Sequence, residues 1–89
     1  MITYGTVKER IEEILKNNVA DKEATTTLHR ELEIYNATRV VANQDDQPMK
    51  DVQFLVRSAL FLMDVGNPDD WKAQLEAVLS LLNSCPSSS

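Results

Sequence analysis

The chain has 89 residues, which suffices for one domain with a single small hydrophobic core. It carries 14 acidic and 9 basic residues, a net charge of −5, and its lysines and arginines are scattered. This composition disfavours direct binding to nucleic acid or to an anionic membrane, and two glycines and three prolines among many helix formers disfavour a β-rich fold.

The first predicted helix begins at Thr6, because Thr6 and Glu9 have the spacing of a reciprocal capping box. It ends near Asn17 and Asn18, since asparagine tolerates the left-handed conformation that closes helices. Its apolar residues recur on one side of a helix with about 3.6 residues per turn. They are Val7, Ile11, Ile14 and Leu15.

The second predicted helix is capped by Asp21 and runs to about Ala42. Threonines 25–27 are weak helix formers, so its start can also fall on one of them. Its main apolar stripe consists of Ala24, Leu28, Leu32, Tyr35 and Ala42. A lesser apolar patch, about a third of a turn away, consists of Ile34, Ala37 and Val41.

Residues 42–48 form the longest predicted loop, and the third helix spans about 48–65. Asp45 or Asp46 caps it, and Pro48 fits its first turn, where the missing N–H costs nothing. Its broad apolar face comprises Met49, Val52, Leu55, Val56, Ala59, Leu60 and Met63. A polar stripe follows, formed by Lys50, Gln53, Arg57 and Asp64.

A tight corner is predicted after the third helix. Gly66 closes that helix in the left-handed conformation, Asn67 caps the fourth helix and Pro68 lies in its first turn. The fourth helix runs to about Asn83, with Trp71, Leu75, Val78, Leu79 and Leu82 on one face. The sequence therefore predicts an all-α fold: a small antiparallel bundle of three to four helices in residues 1–83, followed by a flexible Ser-rich tail at 84–89.

The third helix has a second apolar face, formed by Phe54, Phe61 and Val65. Burying a phenylalanine stabilises a fold by about 1.5–3 kcal/mol, so two exposed phenylalanines on one helix would need a reason. In one interpretation the third helix is the hub of the bundle, with its broad face on helices one and four and its Phe face on the lesser patch of helix two. In the other, Phe54, Phe61 and Val65, with Ile34 and Val41, form an exposed patch for a partner or a second copy.

Candidate catalytic and metal-binding residues are few. The one histidine, His29, and the one cysteine, Cys85, have no spacing that holds a base against a nucleophile, and zinc requires more such ligands. We expect His29 on the solvated side of the second helix, with Thr25, Glu33 and Asn36. We expect neither an enzyme nor a cofactor.

Four oxygen-bearing side chains crowd the corner between helices three and four, at Asp64, Asn67, Asp69 and Asp70. Their spacing differs from a calcium loop, which has ligands at alternate positions around a central glycine. Caps and first-turn carboxylates, which the helix dipole favours, explain them without an ion. We therefore predict no metal site.

A single cysteine excludes an intrachain disulfide, and the N-terminus lacks a basic start followed by an apolar run. The most apolar stretch, residues 54–63, is too short to span a bilayer. These features predict a cytoplasmic protein without a membrane anchor.

The predicted function is binding. The chain is expected to be a small acidic protein–protein interaction module, acting as a regulator, adaptor or assembly factor, either as a homodimer or on another protein. The alternative is an acidic inhibitor that mimics the charge of nucleic acid on a basic partner. Its candidate residues are Asp45, Asp46, Asp51, Asp64, Asp69 and Asp70. No small-molecule substrate is evident.

Overall fold

The computed structural model describes residues 2–66 and 69–84. These residues form four α-helices: α1 (Tyr4–Asn17), α2 (Lys22–Val41), α3 (Gln47–Asp64) and α4 (Asp70–Ser84). The predicted all-α fold is confirmed, in its four-helix form. None of the helices in the described ranges is long and apolar enough to cross a membrane.

Neighbouring helices run antiparallel. Lys22 at the start of α2 bonds Asp64 at the end of α3, with Nζ and Oδ1 2.9 Å apart. Near the other end, Asn36 of α2 donates to Gln53 of α3. Helix α3 packs between α2 and α4, and α1 packs on α2 and α4. Among the described residues, no Cα atom of α1 lies within 8 Å of one in α3, so these two helices lie diagonally across the bundle.

The core contains most of the predicted apolar stripes. The buried hydrophobic residues are Ile2, Val7, Ile11, Ile14, Leu28, Leu32, Tyr35, Met49, Val52, Val56, Ala59, Met63, Trp71, Leu75, Val78 and Leu82. Leu15, Leu55, Leu60 and Leu79 are only half-buried, because they lie at the edges of their stripes. Each helix thus has one face in a common core, as a four-helix bundle requires.

Helix α1 begins one turn earlier than predicted. Its N-cap is Thr3, whose Oγ1 accepts a hydrogen bond from the backbone N–H of Thr6. The prediction of Thr6 as the cap is therefore wrong. The earlier start places Ile2 in the core and lets Tyr4 reach α3. The predicted end is confirmed, since Asn18 adopts the left-handed conformation with φ of 55°.

Helix α2 begins after Asp21, as predicted, but its buried face is more polar than its apolar stripe suggests. Thr25 and Asn36 are buried, which contradicts their predicted place on the solvated side. Burial is possible because the Thr25 hydroxyl donates to the Asp21 carbonyl and the Asn36 amide donates to α3. Conversely, Ala42, predicted in the stripe, is exposed at the end of α2.

The ends of α3 follow the predicted residues. Asp46 rather than Asp45 is the N-cap, Pro48 lies in the first turn, and Gly66 has a φ of 79° just past the helix. Helix α4 continues through Ser84, one residue beyond its predicted end. Ser84, the first residue of the flexible tail predicted at 84–89, is therefore helical. The predicted cap at Asn67 with Pro68 and the rest of that tail, 85–89, lie outside the described residues.

Candidate interaction surface

The outer face of α3 exposes two phenylalanines. Phe54 and Phe61 retain 69% and 65% of their accessible surface, and Val65 retains 58%. The interpretation in which α3 is a hub with its Phe face inside the bundle is therefore wrong. We call the surface formed by Phe54, Phe61 and Val65 the Phe face.

Helix geometry explains why the neighbouring helices leave this face uncovered. At about 100° per residue, Phe54 and Phe61 lie roughly 140–160° around α3 from Val56, which is fully buried. Helix α2 approaches α3 on the side of Gln53 and Asp64, and α4 approaches on the opposite side. Two neighbours flank α3, and neither reaches its outer face.

Two open cavities extend along the junction of the Phe face with α4. The first, of about 520 Å³, includes Phe54 and Leu55 of α3 and Ala77 and Leu81 of α4. The second, of about 460 Å³, lies further along α3, and Phe54, Phe61, Leu62 and Gln74 are among its lining residues. Because Phe54 borders both, the two cavities form one groove about three helical turns long, which we call the α3–α4 groove.

The side chains around the Phe face repeat every seven residues. Phe54 and Phe61 form one column, and Asp51, Ser58 and Val65 form the next. A third column on the α2 side consists of Lys50, Arg57 and Asp64. A seven-residue spacing keeps side chains aligned along a helix, and is the spacing by which one helix packs on another in a coiled coil.

Ile34 and Val41, predicted in the same patch, are also exposed, at 60% and 88%. They lie about 180–200° around α2 from the buried Leu32 and therefore point away from the bundle. The residues that line the α3–α4 groove come from α3 and α4. The structure thus separates the predicted patch into the Phe face and a second pair of residues on the back of α2.

Most acidic residues near the ends of α3 have a partner. Asp45 pairs with Lys50 at 3.1 Å, Asp64 pairs with Lys22 at 2.9 Å, and Asp69 pairs with Lys72 at 3.5 Å. The Asp51 carboxylate accepts from the Gln47 amide. These partners reduce the negative potential that the six aspartates would otherwise present.

Asp46 organises the end of the bundle where α1, α2 and α3 meet. Its carboxylate accepts from the Tyr4 hydroxyl at 2.6 Å and the Tyr35 hydroxyl at 2.8 Å, and also from the backbone N–H of Met49. Burial of Tyr35, together with its hydrogen bond to Asp46 and the negative charge there, raises the pKa of the Tyr35 phenol above 10.0. The Arg39 guanidinium, 5.0 Å from the ring centre, opposes this shift.

The side of α2 that faces α3 has two buried polar atoms without a hydrogen-bond partner among the described residues. They are Nε2 of His29 and Oδ1 of Asn36. His29 is half-buried, so its predicted position on the solvated surface is wrong. Cys85 lies outside the described residues, and within them no group of three or more His, Cys, Asp or Glu side chains is placed to hold a metal ion.

Two features of the site were missed in the sequence. Asp46 was predicted only as a cap or as part of an acidic array. A tyrosine in the first turn of α1 and another near the end of α2 can, however, both reach the start of α3 in an antiparallel bundle. The heptad spacing of the columns beside the phenylalanines was also missed, although Lys50, Arg57 and Asp64 were predicted in one polar stripe. The seven-residue interval between Phe54 and Phe61 was the available signal for them.

Comparison of the chain with protein-family models, with curated proteins and with solved structures found no match.

Proposed function

We propose that this protein is a protein–protein interaction module, a regulator, adaptor or assembly factor that acts by binding through the Phe face and the α3–α4 groove. The observation that carries the proposal is the pair of phenylalanines, each about two-thirds exposed on one line of α3. Exposed apolar surface of this kind, next to a groove with a partly polar rim, is typical of interaction sites.

The composition of the groove supports this use. Its floor has leucines from both helices, Leu55 and Leu62 of α3 and Leu81 of α4, and small residues such as Ala77 and Ser80 leave room above them. Aromatic side chains, phenylalanine among them, are enriched at protein–protein interfaces relative to the rest of the surface. Asp51 and Arg57 at its margins supply opposite charges that can orient a partner.

The experiment compares the proteins retained by the immobilised chain with those retained by the double variant Phe54→Ser with Phe61→Ser. A matched control is Val19→Ser, which removes another exposed apolar side chain, between α1 and α2. Circular dichroism establishes that all three chains fold. Proteins, or further copies of the chain, that bind the wild type and Val19→Ser but are lost with the double variant support the proposal. Identical binding by all three chains contradicts it.

Ile34 and Val41 test whether the interaction surface extends further. Their position on the back of α2 predicts that Ile34→Ser with Val41→Ser leaves binding through the Phe face unchanged. Loss of the same partner in both double variants would mean that one partner wraps around the outside of the bundle, from α2 to α3.

The alternative function, mimicry of nucleic-acid charge, has the net charge of −5 in its favour. The lysine partners of Asp45, Asp64 and Asp69, and the capping role of Asp46, count against it. The two functions differ in their response to salt. Binding to a basic partner that collapses between low and physiological ionic strength, and fails with Asp45→Asn or Asp69→Asn, favours mimicry. Binding that survives salt and fails with the phenylalanine variants favours the interaction module.

A further inference from the structure

We infer that the Phe face binds a second copy of this chain, with the two α3 helices antiparallel about a twofold axis that passes beside Arg57 and Ser58. The inference rests on the proposed function, because it names the partner of the same surface. It adds a defined register, in which Phe54 packs near the partner's Phe61 and Lys50 pairs with the partner's Asp64.

The first observation is that the apolar surface has a centre. Phe54 and Phe61 lie about 10.5 Å apart along α3, and the midpoint between them falls at Arg57 and Ser58. A twofold axis at that midpoint, perpendicular to the helix, exchanges the two positions. Phe54 then packs near the partner's Phe61, and Phe61 near the partner's Phe54. The small side chain of Ser58 leaves space between them.

The second observation is that the charges share this centre. In the column on the α2 side of the phenylalanines, Lys50 and Asp64 lie fourteen residues apart, with Arg57 halfway between them. The same axis therefore places Lys50 opposite the partner's Asp64, at both ends of the contact. Lys50 and Asp64 are about 21 Å apart along one helix, so they cannot pair within a single copy.

The existing ion pairs extend this match. Lys50 already pairs with Asp45, and Asp64 already pairs with Lys22. Where the Lys50 end of one α3 meets the Asp64 end of the other, one copy supplies Lys50 and Asp45. The second copy supplies the partner's Asp64 and the partner's Lys22, so the four charges can alternate in sign. In an antiparallel helix pair, each flanking column faces the same column of the partner helix. A column with opposite charges at its two ends therefore favours the antiparallel orientation over a parallel one.

On the other flank of the contact, leucines lie beyond the column of Asp51, Ser58 and Val65. Leu55 and Leu62 lie on the α4 side of α3, where they line the groove and remain half-buried. Phe54 and Phe61, each about two-thirds exposed, offer on the order of 250 Å² between them. A stable interface buries about 800 Å² on each partner, so the leucines and the exposed face of α4 must supply most of the area.

Asp51 would lie opposite the partner's apolar Val65, and Arg57 is the second unfavourable element of the arrangement. It lies beside the axis and therefore close to the partner's Arg57. The structure leaves this side chain exposed, so the two guanidinium groups can turn toward solvent, at some cost in binding. Removing the charge with Arg57→Gln is therefore expected to tighten the dimer, which a variant that merely damaged the fold would not do.

The experiment measures the dissociation constant of self-association by sedimentation equilibrium. Wild type is expected to form dimers, and Phe61→Ser to be a folded monomer. Lys50→Glu and Asp64→Lys are each expected to weaken the dimer by at least about tenfold, because each creates like charges across the axis. The double variant with both changes restores opposite charges across the axis, and its dissociation constant is expected to return to within about threefold of the wild type.

The double variant is informative because it does not repair the contacts within one copy. Its new carboxylate at position 50 would still face Asp45, and its new ammonium group at position 64 would still face Lys22, so rescue has to come from the pair across the axis. Lys16→Glu, on the exposed side of α1, makes the same change in net charge as Lys50→Glu and is expected to leave the dissociation constant unchanged. Thermal melting of each variant checks that it folds.

Four results would overturn the inference: a wild type that stays monomeric, a dimer that is insensitive to both phenylalanines, charge reversals that each leave the dimer unchanged, or a double variant as weak as the single ones. A monomeric wild type that still binds another protein through Phe54 and Phe61 overturns only the identity of the partner. A dimer insensitive to both phenylalanines, together with unchanged binding of other proteins, overturns the proposed function as well.

Discussion

The hydroxyl of Tyr35 donates a 2.8 Å hydrogen bond to Oδ2 of Asp46, the residue that caps α3. Through this contact the second half of α2 is attached to the start of the next helix. The Tyr4 hydroxyl bonds the other carboxylate oxygen, so α1 is attached at the same point. One loop residue thus joins three of the four helices at one end of the bundle.

The raised pKa of Tyr35 predicts how stability changes at alkaline pH. Folding favours the neutral phenol, mainly because the ring is buried and also because of Asp46, so the stabilisation is complete below pH 10.0, the ordinary pKa of tyrosine. It is lost as pH rises through the higher folded pKa. The difference in free energy of unfolding between wild type and Tyr35→Phe should therefore shrink above about pH 10. Urea denaturation at several pH values measures it.

Tyr4→Phe is the control for the alkaline experiment, because it removes the other hydroxyl that bonds Asp46 and leaves Tyr35 in place. The free energy of unfolding of Tyr4→Phe should still fall at alkaline pH as Tyr35 ionises, which is the loss that Tyr35→Phe removes. A difference in free energy of unfolding between wild type and Tyr35→Phe that stays constant from neutral to strongly alkaline pH would contradict the raised pKa of Tyr35.

Asp46→Ala should be among the most destabilising loop substitutions. It removes the N-cap of α3 and leaves the Tyr4 and Tyr35 hydroxyls without their acceptor. We expect the free energy of unfolding to fall by about 2–4 kcal/mol. Asp45→Ala is the matched control: its carboxylate makes one exposed ion pair with Lys50, so it should cost less than about 1 kcal/mol. Equal losses from the two substitutions would show that Asp46 does not organise this end.

Asn36→Asp tests the buried polar contact between α2 and α3. The Asn36 amide nitrogen donates to the Met49 carbonyl at 3.1 Å and to Oε1 of Gln53 at 2.7 Å. A carboxylate there would face two acceptors in a buried position, so we expect a loss of about 3 kcal/mol at neutral pH. The loss should diminish as pH falls from neutral toward about pH 4, because burial raises the pKa of the new carboxyl above its ordinary value and protonation restores a donor. Asn43→Asp makes the same change in an exposed turn and should have little effect.

The Phe face should contribute little to the stability of a single copy. Phe61→Ser is expected to change the free energy of unfolding by less than about 0.5 kcal/mol, measured at a concentration where the chain is monomeric. Leu75→Ala, at a fully buried position on α4, should cost about 2–5 kcal/mol. If Phe61→Ser costs as much as Leu75→Ala, the phenylalanine is part of the core and its surface is unavailable to a partner.

The sequence alone was sufficient for the helices and for most of their ends. Asp21, Asn18 and Gly66 act through their own backbone and side-chain preferences, which hardly depend on the rest of the chain, so their roles could be predicted from local chemistry. The start of α1 could not. Thr3 and Thr6 are both acceptable caps, and the core contact of Ile2 together with the reach of Tyr4 to Asp46 favoured the earlier one.

The tertiary structure alone decided which apolar face is free. Phe54 and Phe61 have the same periodicity whether α3 has two neighbours or three, and the periodicity of one helix does not say how many others surround it. Helices α2 and α4 flank α3 while α1 lies diagonally opposite, so no residue in the described ranges covers the outer face of α3 within one copy. The burial of Thr25 and Asn36 was decided in the same way. A polar side chain can enter a core only where particular partners meet it, and those partners are set by how the helices pack.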